Sequence, residues 1–152
     1  MNNIIPFSNN LASNFKDLNI EWLEKYFYVE PHDADLLNNC KEEIIDKGGY
    51  IFFYKEKEEI IGTFALIRTS KNIYELGKMA VTLKYQGKGI GQMMLQFCID
   101  FARSNNWKKI ILYSNTKLEN SIYIYKKYGF IEIPIEDNNP YERGNIKMKM
   151  DL

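Results

Sequence analysis

Three glycines at alternate positions, followed at once by an amphipathic helix, constrain this chain more than any other stretch. Gly87, Gly89 and Gly91 come after a strand-like run over residues 73–81. From residue 90 onward, apolar side chains recur at intervals of three and four, which is the spacing of one buried helical face. They are Ile90, Met93, Met94, Phe97, Cys98, Phe101 and Ala102. The sequence therefore predicts a strand, a tight glycine turn and a buried helix over residues 89–104.

This junction between turn and helix is suited to a phosphate group. Glycine lets the backbone turn tightly and approach a ligand, and the N–H groups of a first helical turn have no acceptor within the helix. Those donors and the positive end of the helix dipole favour bound anions. Lys84 and Lys88 add positive charge, and Gln86 adds an amide donor. We therefore predict a phosphorylated ligand at this loop.

The spacing of the glycines argues against the two common nucleotide loops. The chain has no Gly-x-x-x-x-Gly-Lys-Ser/Thr string, and its Gly-x-Gly-x-Gly follows the fourth predicted strand rather than the first. The string Gln86-x-x-Gly89-x-Gly91 instead resembles the acyl-CoA pyrophosphate loop of the GNAT superfamily of N-acetyltransferases. Val81 precedes this loop, as a valine does in that superfamily.

A second motif downstream strengthens the resemblance. The superfamily has a later helix that reads roughly Ala-x-x-Leu-Tyr-x-Lys-x-Gly-Phe, and here residues 121–130 read Ser-Ile-Tyr-Ile-Tyr-Lys-Lys-Tyr-Gly-Phe. The resemblance covers residues 50–152 and is less distinct before them. It implies acetyl-CoA as the acetyl donor. The donor-binding residues that it implies are Met79, Ala80, Val81, Gln86, Gly87, Lys88, Gly89, Ile90, Gly91 and Ser121.

Acetyl transfer sets further requirements on the strand before the loop. The amides of a pantetheine arm can pair with an exposed strand edge where two neighbouring strands separate. A backbone N–H near Met79 would then face the thioester carbonyl and stabilise the oxyanion. The chain departs from the family pattern at Gln86 (commonly Arg), Leu83 (Pro), Ser121 (Ala) and Leu118 (often Asn). We expect these departures to affect contacts to pantetheine more than binding of the pyrophosphate, which depends on backbone amides.

Four side chains are candidates for the reaction centre. Tyr125 matches the general acid of the family, a phenol that protonates the leaving thiolate, with core packing as the alternative. Glu75 is the candidate base, acting directly or through water, with an ion pair to Lys78 or another cation as the alternative. Residues 141–145 resemble a loop beside the acceptor pocket. There Tyr141 is a candidate contact, and Arg143 would bind a substrate carboxylate unless it forms an exposed salt bridge.

The predicted function is acetyl transfer from acetyl-CoA to a primary amine of a small molecule. The amine attacks the thioester directly, with no covalent enzyme intermediate. Two alternatives stay open: a protein or peptide N-acetyltransferase, and a catalytically silent acyl-CoA-binding module. The partners are acetyl-CoA and the acceptor, and the sequence leaves the oligomeric state open, a homodimer included.

Hydrophobic patterning predicts a single α/β domain over residues 1–152, with a mixed, mostly antiparallel sheet of about six to seven strands and helices on both faces. The strand-like runs are 3–7, 50–54, 60–68, 73–81, 109–113, 130–133 and 146–150. Residues 11–26 have helical spacing, and we expect two short helices broken near Asn19. Core packing is the favoured role of their apolar side chains, and the resemblance leaves open that they line the acceptor pocket. Helices are also expected from residue 31 and over 118–128. His32 beside Asp33 leaves a catalytic histidine open, but a helix start is the favoured interpretation.

Composition argues against several other functions. Twenty basic and twenty acidic residues give a formal net charge of zero, so no overall field favours nucleic acid or an anionic membrane. No apolar run is long enough to span a membrane, and the opening residues lack the basic start and apolar core of a signal peptide. We therefore expect a cytoplasmic protein. Cys40 and Cys98 are expected as free thiols and, with one histidine, give no zinc ligand set, so no metal is expected.

Overall fold

A seven-stranded sheet crosses the computed structural model, which describes residues 3–152. The strands are β1 (Ile4–Pro6), β2 (Tyr50–Glu56), β3 (Glu59–Ser70), β4 (Ile73–Val81), β5 (Lys109–Ser114), β6 (Ile131–Ile133) and β7 (Ile146–Asp151). The helices are α1 (Ala12–Tyr26), α2 (Pro31–Asn38), α3 (Ile90–Ser104) and α4 (Glu119–Lys127). Residues 1 and 2 lie outside the described residues. They belong to the predicted domain and to the opening segment in which no signal peptide is expected.

The order of strands in the sheet is β1-β2-β3-β4-β5-β7-β6. β2, β3 and β4 form the predicted antiparallel meander, and α3 crosses over to β5, which runs parallel to β4. β7 lies between β5 and β6 and is antiparallel to both. The predicted mixed, mostly antiparallel sheet is therefore confirmed. The insertion of β7 was not predicted, because strand order depends on contacts between distant parts of the chain.

Helices cover both faces of the sheet, as predicted. α3 packs on one face through Met94 and Cys98, and α4 joins it through partly buried side chains. α1 and α2 pack on the other face through Phe15, Leu23 and the leucines of α2. Alternation along β2 serves both layers, since Phe52 and Tyr54 belong to the first cluster while Ile51 and Phe53 belong to the second.

The α1 helix is continuous, so the predicted break near Asn19 is wrong. Asn19 is buried, and its side-chain Nδ2 donates to the carbonyl oxygen of Phe15 at 3.0 Å. This bond spans one helical turn and satisfies the amide without interrupting the helix. Phe15, Leu18 and Leu23 are all buried. The apolar face of one long helix therefore outweighs the weak helix preference of a single asparagine.

The strands β4 and β5 separate after a short contact. They pair only at Ile73–Lys109, Tyr74–Ile110 and Glu75–Ile111. Beyond Glu75, β4 stays paired with β3, while β5 continues beside β7. A cleft therefore opens in the middle of the sheet, and this is the separation that pairing with a pantetheine arm requires.

We expect Met94→Ala to lower the free energy of unfolding by about 2–4 kcal/mol, because it leaves a cavity in the core. Met94 is fully buried in α3, and its sulfur lies 3.3 Å from the position that a Cβ would take at Gly62 of β3. Met93→Ala is the matched control, since Met93 is 45% exposed, and should change stability by less than about 1 kcal/mol. Urea denaturation measures both losses in the free energy of unfolding. Equal losses in the two variants would contradict this packing.

Candidate active site

A cavity of about 780 Å³ fills the gap between β4 and β5 and extends to the glycine loop. Most residues predicted for the site line it: Glu75, Met79, Ala80, Val81, Gln86, Gly87, Gly89, Ile90, Gly91, Ser121, Tyr125, Tyr141 and Arg143. Lys88 does not, and its Nζ lies 5.3 Å from the ring centroid of Tyr85, which does. The predicted positions other than Lys88 therefore lie together along one cavity.

The glycine loop presents a run of backbone donors. Gly87 and Gly89 adopt left-handed backbone with φ of 78° and 79°, which disfavours other residues. Within the part of the chain that the structure describes, the N–H groups of residues 87–92 have no hydrogen-bond acceptor; the first bond of α3 is from Met93 to the Gly89 carbonyl. Consecutive free N–H groups at a helix N-terminus bind phosphate oxygens. The loop therefore has the chemistry that a pyrophosphate needs.

The Gln86 side chain takes a different position from the one predicted. Its Nε2 donates to the carbonyl of Val81 at 2.9 Å, and its Oε1 accepts from the Tyr26 hydroxyl at 3.2 Å. Glu21 makes a second tie by accepting from the hydroxyl of Thr82 and the N–H of Leu83. Gln86 therefore connects α1 to the end of β4 through side-chain hydrogen bonds. Its amide donates within the protein, so the donors available to an anion are the backbone N–H groups. Tyr26 lines the cavity, whereas Glu21 is not among its lining residues.

A bulge in β4 lies between the two ends of the site. Thr63 and Ala65 of β3 face Ala80 and Gly77, so β4 carries one extra residue, and Lys78 and Met79 have no paired residue on either neighbouring strand. Lys78 has φ of 52°, a strained conformation for a lysine. Its buried Nζ contacts Asp33 Oδ1 at 2.5 Å. A buried ion pair thus fixes the bulge next to the predicted position of the thioester.

Asp33 is the centre of a buried charge cluster. Besides Lys78, it accepts from Arg143 Nη1 at 2.5 Å and Nη2 at 2.9 Å, and from the N–H of Glu30 at 3.0 Å. Burial acts to raise the pKa of Asp33, but the hydrogen bonds from Arg143 and the charge of Lys78 outweigh it and lower the pKa to about 2. The predicted helix start at residue 31 is confirmed, with this aspartate buried in its first turn.

The Arg143 guanidinium is occupied by the protein itself. It also donates to Glu30 Oε2 at 3.0 Å, and its side chain is only 15% exposed. In its predicted role, a substrate carboxylate would have to share this guanidinium with two internal carboxylates. The alternative role considered for Arg143 was an exposed salt bridge, whereas its ion pairs with Glu30 and Asp33 are largely buried.

Glu75 has a different neighbour from the one considered. Lys78 is committed to Asp33, and the hydroxyl of Tyr141 donates to Glu75 Oε2 at 2.8 Å. Glu75 is 7% exposed, and burial raises its pKa, while the hydrogen bond from Tyr141 opposes the rise. The ring centroid of Tyr141 lies 4.5 Å from Lys78 Nζ and 4.8 Å from Arg143 Cζ. A carboxylate with a raised pKa is a better base, and this one borders the cavity.

Tyr125 lies on the α4 side of the cavity. Its ring packs edge-on against Phe130, and its hydroxyl has no hydrogen-bond partner among residues 3–152. Burial first, and then nearby Cys98, raise its pKa to about 12. The hydroxyl therefore stays protonated at neutral pH and is available to a ligand. Tyr123, on the same helix, is 66% exposed.

Other residues singled out in the sequence lie away from this chemistry. His32 is not among the cavity residues, and its ring packs edge-on against Tyr141 at 5.2 Å. Cys40 and Cys98 are buried free thiols, as predicted. Among the described residues, no His, Cys, Asp and Glu side chains group as metal ligands, and no helix combines the length and apolarity needed to cross a bilayer.

Comparisons with known proteins agree on one family. The model of the acetyltransferase (GNAT) family matches residues 16–130. N-acetyltransferase 8B of Rattus norvegicus is 21% identical over 102 residues, which are 64% of this chain and 46% of that protein. Mycothiol acetyltransferase of Corynebacterium glutamicum is 25% identical over 84 residues, which are 55% of this chain and 29% of that protein. The chain thus spans less than half the length of these curated relatives.

Solved structures show the same fold over almost the whole chain. A GNAT-family acetyltransferase from Staphylococcus aureus has a TM-score of 0.85 at 22% identity, covering 98% of both chains. Spermidine N-acetyltransferase of Vibrio cholerae, solved with CoA and spermine, has a TM-score of 0.72 at 18% identity, covering 97% of this chain and 94% of that one. At these identities the likeness establishes the fold.

We expect Asp33→Asn to destabilise the protein at pH 7 by about 3 kcal/mol, because it leaves two buried cations without their carboxylate. The change in the pKa of Asp33 from 3.8 to about 2 corresponds to roughly 2 kcal/mol of that total. Because folding lowers this pKa, the contribution is complete above pH 3.8 and is lost as the pH falls towards 2. Urea denaturation at pH 7 and at pH 3 should therefore show a smaller effect in acid.

Asp35→Asn is the matched control for this variant, since Asp35 is exposed on the same helix. It should change the free energy of unfolding by less than about 0.5 kcal/mol. Equal stability of the Asp33 and Asp35 variants at pH 7 would show that the cluster contributes nothing.

Proposed function

The chain belongs to the acetyltransferase (GNAT) family, and we propose that it transfers an acetyl group from acetyl-CoA to a primary amine of a small molecule. One observation carries the proposal: six consecutive backbone N–H groups, residues 87–92, lack acceptors in the described chain where the cleft meets α3. Such a set of donors is suited to a pyrophosphate. Acetyl-CoA supplies that group together with an activated acetyl thioester.

The rest of the cleft suits the remainder of acetyl-CoA. Between Leu76 and Val81, β4 has no partner on its β5 side, so backbone groups can pair with the amides of pantetheine. The unpaired position of Met79 supports a role for its N–H in stabilising the oxyanion. The departures at Leu83 and Ser121 leave these backbone contacts intact. Donor binding thus relies mainly on the main chain.

The proposed reaction uses two side chains that border the cavity. Glu75, directly or through water, takes the proton that the ammonium must lose before it attacks. The amine nitrogen then bonds to the acetyl carbon, giving the oxyanion, and the C–S bond breaks as the carbonyl re-forms. A second proton leaves the nitrogen as the amide forms and replaces the one that passes to the sulfur. Tyr125 donates a hydrogen bond or its proton to the departing sulfur. Because burial raises the pKa of Glu75, the carboxylate form is lost at a higher pH than for an ordinary glutamate. As the pH is lowered, activity should therefore begin to fall at a pH above the range in which ordinary carboxyl groups titrate.

The alternatives fit the site less well. A silent acyl-CoA-binding module does not explain a tyrosine hydroxyl that borders the cleft without an internal partner. A peptide acceptor needs an open groove, whereas Glu75 and Tyr141 are 7% and 5% exposed. The structural neighbour with bound spermine supports an amine acceptor of small size.

We expect Gly91→Glu to weaken acetyl-CoA binding by roughly tenfold or more relative to Gly91→Gln, because the two differ only in a negative charge beside the pyrophosphate site. Gly91 does not have positive φ, and no heavy atom lies within 4 Å of a Cβ built there. A glutamate in the first turn is also favourable for the helix. Calorimetric titration of acetyl-CoA measures both affinities. Equal affinities would mean that the loop does not hold the pyrophosphate.

We expect Tyr125→Phe to lower kcat by about a hundredfold while leaving acetyl-CoA affinity within about twofold, because the hydroxyl acts on the departing sulfur. Tyr123→Phe, an exposed change on the same helix, should leave both quantities unchanged. Thiol release followed under saturating acetyl-CoA gives kcat, and titration gives the affinity. Unchanged turnover of Tyr125→Phe would remove the general-acid role and leave the donor site standing.

A further inference from the structure

We infer that the acceptor is an amine with an aromatic or apolar body and no carboxylate, bound with its ammonium beside Glu75. This inference rests on the proposed acetyl transfer and names the class of acceptor. It follows from two features of the cleft: which charges are already paired within the protein, and which parts of its aromatic side chains remain available.

The cations at the acceptor end are paired internally. Arg143 contacts both Glu30 and Asp33, and Lys78 contacts Asp33, so two positive and two negative charges offset one another. Lys147, behind the site, is bound to Glu136 at 2.8 Å. Among the described residues, both cations at this end of the cleft are therefore already balanced by carboxylates, and a carboxylate on the acceptor would have to share them with Glu30 and Asp33.

Lys117 is a further cation that lines the cavity, at its exposed rim. Its Nζ donates to the carbonyl of Tyr26 at 2.9 Å and lies 4.0 Å from the ring centroid of Phe27. It therefore sits over the aromatic side chains near the end of α1 rather than beside Glu75. Exposure to water weakens its attraction for an anion.

Glu75 is a buried carboxylate of the lining with no cation in direct contact among the described residues, whereas Glu119, which also lines the cavity, is exposed on α4. One of its oxygens accepts from Tyr141, and Oε1 has no hydrogen-bond partner in the part of the chain that is described. Its burial strengthens electrostatic interactions with a ligand. An ammonium is favoured beside this carboxylate, and an acceptor carboxylate is repelled by it.

Besides Tyr85 beside the glycine loop and Tyr125 on α4, five aromatic side chains line the same cavity: Trp22, Tyr26, Phe27, Tyr113 and Tyr141. The three tyrosine hydroxyls already donate within the protein, to Gln86, Glu136 and Glu75 respectively. What these side chains offer a ligand is therefore the part of their ring surface that neighbouring lysines and Arg143 leave uncovered. Ring surface favours an apolar or aromatic body and also attracts a cation.

The test compares three acceptors at saturating acetyl-CoA by their kcat/KM values: 2-phenylethylamine, phenylalanine and ethylamine. Phenylalanine adds a carboxylate to the first compound, and ethylamine removes its ring. We expect 2-phenylethylamine to exceed phenylalanine by at least about a hundredfold, because of like-charge repulsion without compensation. It should exceed ethylamine by about tenfold or more, because of the apolar contact that ethylamine lacks.

The same measurements on Glu75→Gln identify the origin of the preference. Glutamine keeps an acceptor for the Tyr141 hydroxyl but removes the charge. Both acceptors lose turnover with the base, so their ratio isolates the electrostatic effect. We expect the ratio of 2-phenylethylamine to phenylalanine to shrink by at least about tenfold. Asp35→Asn, which removes an exposed carboxylate elsewhere, should leave the ratio unchanged.

Each other outcome has a defined meaning. The exclusion of carboxylates is overturned if phenylalanine and 2-phenylethylamine have equal kcat/KM values. It is also overturned if the ratio of these two values does not change in Glu75→Gln. If ethylamine is acetylated as efficiently as 2-phenylethylamine, the requirement for an aromatic or apolar body is overturned. If spermidine or a lysine peptide is acetylated and 2-phenylethylamine is not, the inference fails while the proposed acetyl transfer stands. If acetyl-CoA binds but no amine is acetylated, the proposed function fails with it.

Discussion

The ion pairs of one buried carboxylate, Asp33, hold together the three segments that build the acceptor end of the cleft. It joins α2, the bulge of β4 and the loop before β7 through Lys78 and Arg143. Replacing such a cluster with packed apolar side chains often leaves a protein equally stable, so stability alone does not account for it. Geometry gives a better reason. The cluster fixes a lysine in left-handed backbone, and the β4 bulge places two unpaired residues where the strands part.

The two ends of the cleft use different physical means. At the proposed donor end, the available groups are the backbone N–H groups of residues 87–92, so the identity of nearby side chains would matter little to an anion bound there. Gln86 instead bonds to Val81 and Tyr26. At the proposed acceptor end, the available groups are side chains, and Tyr141 links them. Its hydroxyl orients Glu75, while its ring packs against the cations of the Asp33 cluster.

The sequence predicted the parts of the fold that depend on local pattern. Apolar spacing identified α3, alternation and turns identified the meander, and the glycine positions identified the loop. Contacts between distant residues were not readable in this way, since Lys78 lies 45 residues from Asp33 and Arg143 lies 110 residues from it. A signal was nevertheless present. Lys78 alternates with Leu76 and Ala80, which are both buried, and a lysine on an inward face needs a carboxylate partner. The predicted helix break at Asn19 was wrong for a local reason, because the Asn19 side chain donates its hydrogen bond within its own helix.

Pairing within the protein also decides what the site can recognise. Counted as residues, its lining contains cations and tyrosine hydroxyls that would suit an amino acid or another acidic amine. Counted as available groups, the lining is different, because Arg143 and Lys78 are neutralised by carboxylates and the hydroxyls of Tyr26, Tyr113 and Tyr141 are already donating. The groups that remain toward a ligand include the buried carboxylate of Glu75, ring surface and the free hydroxyl of Tyr125, and Glu119 adds an exposed carboxylate on α4. Recognition in this cleft therefore follows from which polar groups the fold leaves unpaired, and the Asp33 cluster determines that remainder on the acceptor side.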